Sequence, residues 1–199
     1  MKLVLATRNA AKLEELRRIL APLLPVEVLG LGDLPAYEEV PETGATFAEN
    51  ALIKAREAVL RTGLPAVADD SGLAVDALNG MPGVLSARWA GARASDPANL
   101  QLMLEQVADV PDDRRGAAFV CAAALVTPDG TEQVVHGTMT GTLLRAPRGA
   151  NGFGYDPVFV PTGHDRTTAE MAPAEKDAIS HRGQAFRTLA PLIAATLTD

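Results

Sequence analysis

The stretch PAVADDSGLAVD, residues 65–76, is central to the sequence because it places two adjacent carboxylates between two apolar runs. Residues 66–68 are typical of a short buried strand that ends at Asp69 and Asp70. Ser71 and Gly72 then predict a turn. Buried charge is costly unless it is paired, so the two carboxylates indicate a divalent cation, and Mg²⁺ commonly binds one or two carboxylates together with phosphates. An ordinary surface turn remains the alternative for this stretch alone.

The composition is that of a globular protein, with 199 residues, of which 47% are hydrophobic and 22% charged. This length predicts one domain, 1–199, that can be divided into two lobes. A net charge of -7 argues against a nucleic-acid polymer as partner, but a small phosphorylated ligand fits if a metal ion and local cations receive it. No apolar run is long enough to span a membrane, and Arg8, Asn9 and Lys12 come too early for a signal peptide. We therefore expect a cytoplasmic protein without a membrane partner.

The first candidate phosphate site lies near the start of the chain. Residues 3–6 predict a strand, and apolar residues from Leu13 to Leu23 recur at helical spacing. The connecting loop brings backbone N–H groups and an ammonium to a helix N-terminus, which is the outline of a phosphate cradle. Its residues are Thr7, Arg8, Asn9, Ala10, Ala11 and Lys12. The pattern lacks the glycines of a Walker loop, so Asn9 as a plain helix cap stays open.

A second candidate region precedes the central stretch. Residues 26–31 predict a strand, and Thr46 with Glu49 has the spacing of a capping box that starts a helix ending near Gly63. Glu42, just before this helix, is the predicted second metal carboxylate. Lys54, on the helix, is a candidate phosphate contact, although a solvated helix face is the alternative.

The middle of the chain offers no candidate site residues, and its patterns predict a loop, a helix and strands. Residues 79–97 indicate a long loop, and Asp96 with Pro97 indicates the cap and first position of a helix. Residues 117–126 and 131–136 flank a Pro-Asp-Gly hairpin turn, and residues 140–144 predict a further antiparallel strand. Cys121 lies in the apolar run AAFVCAAALV, which suits a core residue.

Two late stretches carry further candidates. In RGANGFGYDPVF, residues 148–159, a glycine loop presents Phe153, which can stack on a base; a wide turn with Phe153 and Tyr155 packed inward is the alternative. In EKDAISHRGQ, residues 175–184, a predicted helix start at Ser180 puts His181 and Arg182 in the first turn. Cations there oppose the helix dipole, which favours an anionic or polar ligand facing them.

Taken together, these stretches resemble the inosine triphosphate pyrophosphatase family. The resemblance covers nearly the whole chain and follows five motifs in order, whereas residues 93–146 carry no diagnostic positions. The motifs are Thr7-x-Asn9-x-x-Lys12, Glu42-Thr43-Gly44-x-Thr46-Phe47-x-Glu49-Asn50-Ala51, Ala68-Asp69-Asp70-Ser71-Gly72-Leu73, Gly152-Phe153-Gly154-Tyr155-Asp156-Pro157 and Ser180-His181-Arg182-Gly183.

The resemblance implies an α/β fold with a mixed central β-sheet flanked by helices, two lobes with a substrate cleft between them, and a homodimer. It implies Mg²⁺-dependent hydrolysis of ITP, dITP or XTP to the monophosphate and pyrophosphate, which removes deaminated purines before they enter DNA or RNA. Two alternatives stay open. The chain could be a related pyrophosphatase for modified pyrimidine triphosphates, or a nucleotide-binding module without turnover.

The resemblance also implies residue roles. Asp70 would be the proton acceptor and a metal ligand, and Glu42 a further ligand. The substrate-binding residues it implies are Thr7, Arg8, Asn9, Ala10, Ala11, Lys12, Ser71, Phe153, Gly154, Tyr155, Asp156, Lys176, His181 and Arg182, to which the residues themselves add Lys54.

Overall fold

The structure, a computed structural model, describes residues 2–35, 37–38 and 40–198. Its strands are β1 (Lys2–Leu5), β2 (Glu27–Gly30), β3 (Ala66–Val75), β4 (Gly116–Val126), β5 (Glu132–Leu143) and β6 (Phe159–Pro161). Its α-helices are α1 (Ala10–Leu20), α2 (Phe47–Thr62), α3 (Asp96–Gln106), α4 (Pro173–Ile179) and α5 (His181–Thr198). None of the helices in the described ranges combines the length and the apolar character that a bilayer crossing requires.

The strands form one mixed sheet in the order β2-β1-β3-β4-β5-β6. β1 runs parallel to both β2 and β3, with Val4 opposite Ala66 and Leu5 opposite Val67, whereas β5 and β6 are antiparallel. The predicted mixed sheet with flanking helices is therefore confirmed. The substrate cleft predicted between two lobes stays a prediction.

The chain divides into two compact units. Unit 1 holds the residues up to Asp70, Cys121–Gly137 and the residues from Arg182 onward. Alternate residues of a strand face opposite sides of the sheet, and unit 1 has a buried core on each side. One core joins β1 and β3 to α1 and α5 through Leu3, Leu5, Val67, Leu16, Leu20, Phe186 and Leu189. The other joins the same strands to α2 through Val4, Ala66, Ala68, Ala51, Ala55 and Ala58.

Unit 2 consists of Ser71–Val120 and Thr138–His181 and has its own core. The core residues include Leu73, Val75, Met103, Phe119, Val158 and Phe159. Arg115 is buried, and its guanidinium donates to the carbonyl oxygens of Val107, Leu143 and Leu144. These bonds tie the end of α3 to the end of β5 within this unit.

Several local predictions are confirmed by the helix ends. The side chain of Asn9 caps α1 by accepting from the Lys12 N–H. Thr46 and Glu49 form the predicted capping box of α2, which ends at Gly63. The last helix begins at His181, directly after Ser180, as predicted.

Other local predictions are wrong. The chain does not turn at Ser71 and Gly72, since β3 continues through them to Val75. Strand β5 is continuous over the residues predicted to separate two strands. In both strands, pairing in the sheet overrides local turn preference.

Smaller corrections concern boundaries. Ser95, not Asp96, caps α3 by accepting from the Ala98 N–H, and Asp96 is the first helical residue. The predicted loop 79–97 contains a 3₁₀ helix, Gly83–Arg88. Strand β6 follows directly on a 3₁₀ turn formed by Asp156–Val158.

Candidate active site

The two adjacent aspartates of β3 point to opposite faces of the sheet. Asp69 follows Val67 on the side covered by α1 and α5, whereas Asp70 follows Ala68 on the side covered by α2. The two side chains therefore accept hydrogen bonds from different residues, Asp69 from Arg182 and Asp70 from Asn50. The turn predicted after them is wrong, because β3 continues through Ser71 and Gly72. That the two carboxylates share one cation stays a prediction.

Asp70 lies in a small cluster built by α2 and the loop before it. Asn50 Nδ2 donates to Asp70 Oδ2 over 3.1 Å, and Lys54 Nζ lies 3.4 Å from Asp70 Oδ1. Lys54 Nζ also lies 2.8 Å from Glu42 Oε1. Asn50 and Lys54 share one helix face because they are four residues apart. The structure thus brings together Glu42, Lys54 and Asp70, as the sequence prediction requires.

Asn50 is fully buried and has one defined orientation. Its Oδ1 accepts from the Gly44 N–H over 2.8 Å, and since an amide N–H only donates, the Nδ2 group must face Asp70. A Cβ at Gly44 would lie 2.6 Å from Glu49 Cβ and 2.8 Å from Asn50 Oδ1, so a side chain has no room there. The glycine lets the loop that carries Glu42 pass close to α2.

The electrostatics of this cluster suit a general base held beside a cation. Burial raises the pKa of Asp70, and the charge of Lys54 and the hydrogen bond from Asn50 only partly offset this rise. Burial by itself lowers the pKa of Lys54, but the charges of Asp70, Asp69 and Glu42 outweigh it and raise the value, so the ammonium stays charged. A carboxylate with a raised pKa is a stronger proton acceptor once it is ionised.

The residues present fit a hard divalent cation. Glu42 and Asp70 come from different elements, yet both of their carboxylates lie against the same positive charge, Lys54 Nζ. Carboxylate oxygens are preferred ligands of Mg²⁺, which needs few protein ligands when phosphates supply the others. Within the described residues, no group of three or more His, Cys, Asp or Glu forms an all-protein cage. The donor set therefore matches an ion shared with a phosphorylated ligand.

On the opposite face of β3, buried charges form a chain of contacts. Asp69 Oδ2 lies 3.2 Å from Lys12 Nζ and accepts from Arg182 Nε over 3.2 Å. Arg182 Nη1 donates to Glu15 Oε2 over 2.6 Å. Burial lowers the pKa of Arg182, but the charges of Asp69 and Glu15 outweigh it and keep the guanidinium ionised. Two of the predicted substrate residues, Lys12 and Arg182, are thus joined through one carboxylate.

The residues predicted to form a phosphate cradle lie at the start of α1. Its residues from Arg8 to Ala11 are exposed, and Thr7 Oγ1 accepts from the Asn9 N–H over 3.3 Å. The first helical hydrogen bond runs from the Leu13 N–H to the Asn9 carbonyl oxygen. The N–H groups of Ala10 and Ala11 precede that bond, so they point out of the helix end as an anion site requires.

In unit 2, the glycine loop is built around Asp156, which is 2% exposed. Its Oδ2 accepts from the Phe153 N–H over 2.9 Å and from Lys176 Nζ over 2.6 Å, while its Oδ1 accepts from Thr168 Oγ1 over 2.8 Å. Lys176 Nζ also lies 5.1 Å from the centroid of the Phe153 ring. Asp156 therefore orients Phe153 and Lys176, a role that the motif alone does not reveal.

The remaining predicted residues differ in their contacts and in how deeply they are buried. Gly154 donates its N–H to Asp96 Oδ2, and the Tyr155 hydroxyl donates to the Ser86 carbonyl oxygen, so Tyr155 is packed inward. His181 is buried and stacks on Phe119 with ring centroids 5.0 Å apart. Ser71 is half-buried in β3.

Sequence reasoning missed Asn50 and Glu15 as site residues. The signal for Asn50 was its position four residues before Lys54 on one helix face. Glu15 stands directly before Leu16, within the apolar stripe of α1, and a carboxylate at such a position indicates a buried partner. That partner, Arg182, is 167 residues away and could not be named from spacing.

Comparison with known proteins identifies the family to which the chain belongs. The family model described as Ham1 family matches residues 3–192. Proteins named dITP/XTP pyrophosphatase from Nocardia farcinica and Frankia alni are 62% and 64% identical, covering 98% and 100% of this chain and 95% and 100% of theirs. The structure of a HAM1 protein from Coxiella burnetii is 44% identical with a TM-score of 0.87, over 98% of this chain and 99% of that one. This agreement confirms the resemblance seen in the sequence, and the chain belongs to the Ham1 family.

Proposed function

We propose that this protein hydrolyses non-canonical purine nucleoside triphosphates, namely ITP, dITP and XTP, to the monophosphate and pyrophosphate. Relatives that match nearly the whole chain are named dITP/XTP pyrophosphatase. The observation in the structure that carries the proposal is the cluster at Asp70, where this buried carboxylate and that of Glu42 both lie beside the Lys54 ammonium. Such a cluster can accept a proton next to a phosphate group.

The proposed reaction is direct attack of water on the α-phosphorus, without a covalent intermediate. Asp70 accepts the proton of the attacking water, and Asn50 holds its carboxylate in place. Lys54 and Lys12 offset the charge that develops on the leaving pyrophosphate. Mg²⁺, held by Asp70 and Glu42, would supply further charge neutralisation on the phosphate oxygens when bound.

Recognition of the base is assigned to residues near the end of the chain. Phe153 is proposed to stack on the purine and Lys176 to contact the substrate beside it. The side chain of Arg182, or a backbone N–H near His181, would donate to the 6-oxo group. Adenine has an amine at that position and would leave the donor unpaired, and such mismatches discriminate by orders of magnitude. If Arg182→Ala leaves the ratio of ITP to ATP turnover unchanged, the assignment to the Arg182 side chain is wrong and the backbone N–H is left.

The setting of the reaction is part of the proposal. We propose that the protein acts in the cytoplasm as a homodimer and that its reaction keeps deaminated purines out of DNA and RNA. Light scattering on the purified protein would test the dimer. A monomeric mass at assay concentration would overturn the proposed homodimer and leave the rest of the proposal unchanged.

The deciding experiment measures pyrophosphate release from equal concentrations of ITP, XTP, GTP and ATP with Mg²⁺. It is repeated with EDTA and with Asp70→Asn, and Arg56→Ala serves as the matched control because Arg56 lies on α2 in an exposed ion pair with Glu132. We expect release from ITP and XTP that both treatments abolish and the control retains.

Other results of this assay would overturn the mechanism, the substrate class or the enzymatic activity. Release of orthophosphate instead would place attack at the terminal phosphorus and overturn the mechanism. If a modified pyrimidine triphosphate is added to the same panel and is preferred, the protein belongs to that substrate class instead. Tight ITP binding without turnover in the unmodified protein would favour a binding module.

A further inference from the structure

The backbone on both sides of Phe153 is held by carboxylates. The Phe153 N–H donates to Asp156 Oδ2 over 2.9 Å, and the next N–H, that of Gly154, donates to Asp96 Oδ2 over 2.9 Å. Asp156 belongs to the same motif, but Asp96 is the first residue of α3, 58 positions away in the chain. Two carboxylates from separate elements thus fix the two peptide groups that determine the direction of the Phe153 ring.

The loop needs such bonds because its conformation is unfavourable by itself. Gly152 and Gly154 have φ values of +75° and +61°, so Phe153 lies between two residues in the left-handed region. A loop of this kind is flexible unless tertiary contacts hold it. The Tyr155 hydroxyl, which donates to the Ser86 carbonyl oxygen over 2.8 Å, adds a third attachment on the far side of Gly154.

The charge of Asp96 acts on this loop and not only on its own helix. After burial, the nearby charge of Asp96 is the second cause that raises the pKa of Tyr155. As the first residue of α3, the carboxylate also lies where a helix N-terminus favours negative charge. It therefore has a stable position from which to hold the Gly154 amide.

We propose that Asp96 is a positioning residue that orients the Phe153 ring for the substrate base by accepting the Gly154 N–H. This inference rests on the proposed function, in which Phe153 stacks on the purine. Asp96 lies outside the five motifs, and it is exposed, so its replacement would ordinarily be nearly neutral.

The test compares three variants at the start of α3 by steady-state kinetics with ITP. Asp96→Ala removes the acceptor and should raise KM about tenfold, the cost of one charge-assisted hydrogen bond, while kcat changes less. Asp96→Asn loses the charge but keeps an acceptor oxygen, so it should restore most of the affinity. Ser95→Ala removes the cap of the same helix without touching Gly154, and it should lower stability but leave KM unchanged.

A double-mutant cycle shows whether Asp96 acts through the ring. Asp96→Ala introduced into Phe153→Ala should raise KM no further, because the ring that it orients is already gone. Amide hydrogen exchange of residues 152–156 should be faster in Asp96→Ala than in Ser95→Ala.

The failures of the two proposals are distinguishable. An unmodified protein that turns over ITP, with Asp96→Ala showing normal KM and normal exchange, would overturn the positioning role and leave the proposed function intact. Effects of Asp96→Ala and Phe153→Ala that simply add would also overturn it. An unmodified protein that neither binds nor hydrolyses ITP would overturn both proposals.

Discussion

Replacing Glu15 by alanine should destabilise the protein strongly, although Glu15 lies outside the motif positions. Glu15 is 3% exposed and its Oε2 lies 2.6 Å from Nη1 of Arg182, which is itself buried. Removing one partner of a buried ion pair costs about 3–5 kcal/mol because the other charge stays in the interior. Asp69 still faces the guanidinium, so we expect the lower end, about 3 kcal/mol. For a chain of this length this lowers Tm by about 6–12 °C.

The assay is thermal unfolding followed by circular dichroism, with urea unfolding as a second measure of the free energy. Arg17→Ala is the control, because Arg17 also lies on α1 but its partner Asp33 is half exposed. That exposed pair should contribute no more than about 1 kcal/mol. Glu15→Gln keeps an oxygen for Arg182 and should lose about 1–2 kcal/mol. Equal Tm values for Glu15→Ala and Arg17→Ala would show that the buried Glu15–Arg182 pair contributes no more to stability than an exposed pair.

Three further predictions concern other parts of the protein. In metal-free protein, burial raises the pKa of Asp70 above its unfolded value, so the contribution of Asp70 to stability falls as pH rises through the folded-state pKa. Asp70→Asn should therefore raise Tm at pH 7 in EDTA, and this gain should shrink below about pH 4. An unchanged Tm at pH 7 would contradict this prediction. Gly152→Ala should weaken ITP binding and cost about 1–3 kcal/mol, because a Cβ there lies 2.1 Å from Asp156 Oδ2 at a φ of +75°; an unchanged Tm and KM would argue against this loop geometry. Arg56→Ala should cost under about 1 kcal/mol in urea unfolding, since its pair with Glu132 is exposed, and a larger loss would mean that this contact is underestimated.

Much of the candidate site was accessible from local patterns. Asn9, Thr46 and Gly63 have short-range signals, and the structure shows them at the helix ends that these signals predict. Glu42 and Lys54 were selected by chemistry and by their place near a helix start, and the structure brings them together. The caps join residues three or four apart, so spacing along the chain carries the necessary information there, whereas Glu42 and Lys54 are 12 positions apart.

The turn predicted at Ser71 and Gly72 is not formed. Asp-Asp-Ser-Gly has strong turn preference, yet the chain stays extended there as part of β3. Each aspartate meets a partner from a different helix, Asp69 an arginine of α5 and Asp70 an asparagine of α2. Those partners pair Asp69 Oδ2 and Asp70 Oδ2 within the strand, which offsets part of the cost of burying the two charges.

The sequence alone was enough to predict the ends of α2 and the start of α5 from capping residues, and the order of the motifs identified the family, whose resemblance implied the class of fold. The tertiary structure alone decided which side of the sheet each aspartate faces, that Glu15 pairs with Arg182, and that Asp96 holds the amide after Phe153. These contacts join residues that are 58 to 167 positions apart. Such pairings depend on how strands and helices pack in three dimensions, and no local preference along the chain specifies them.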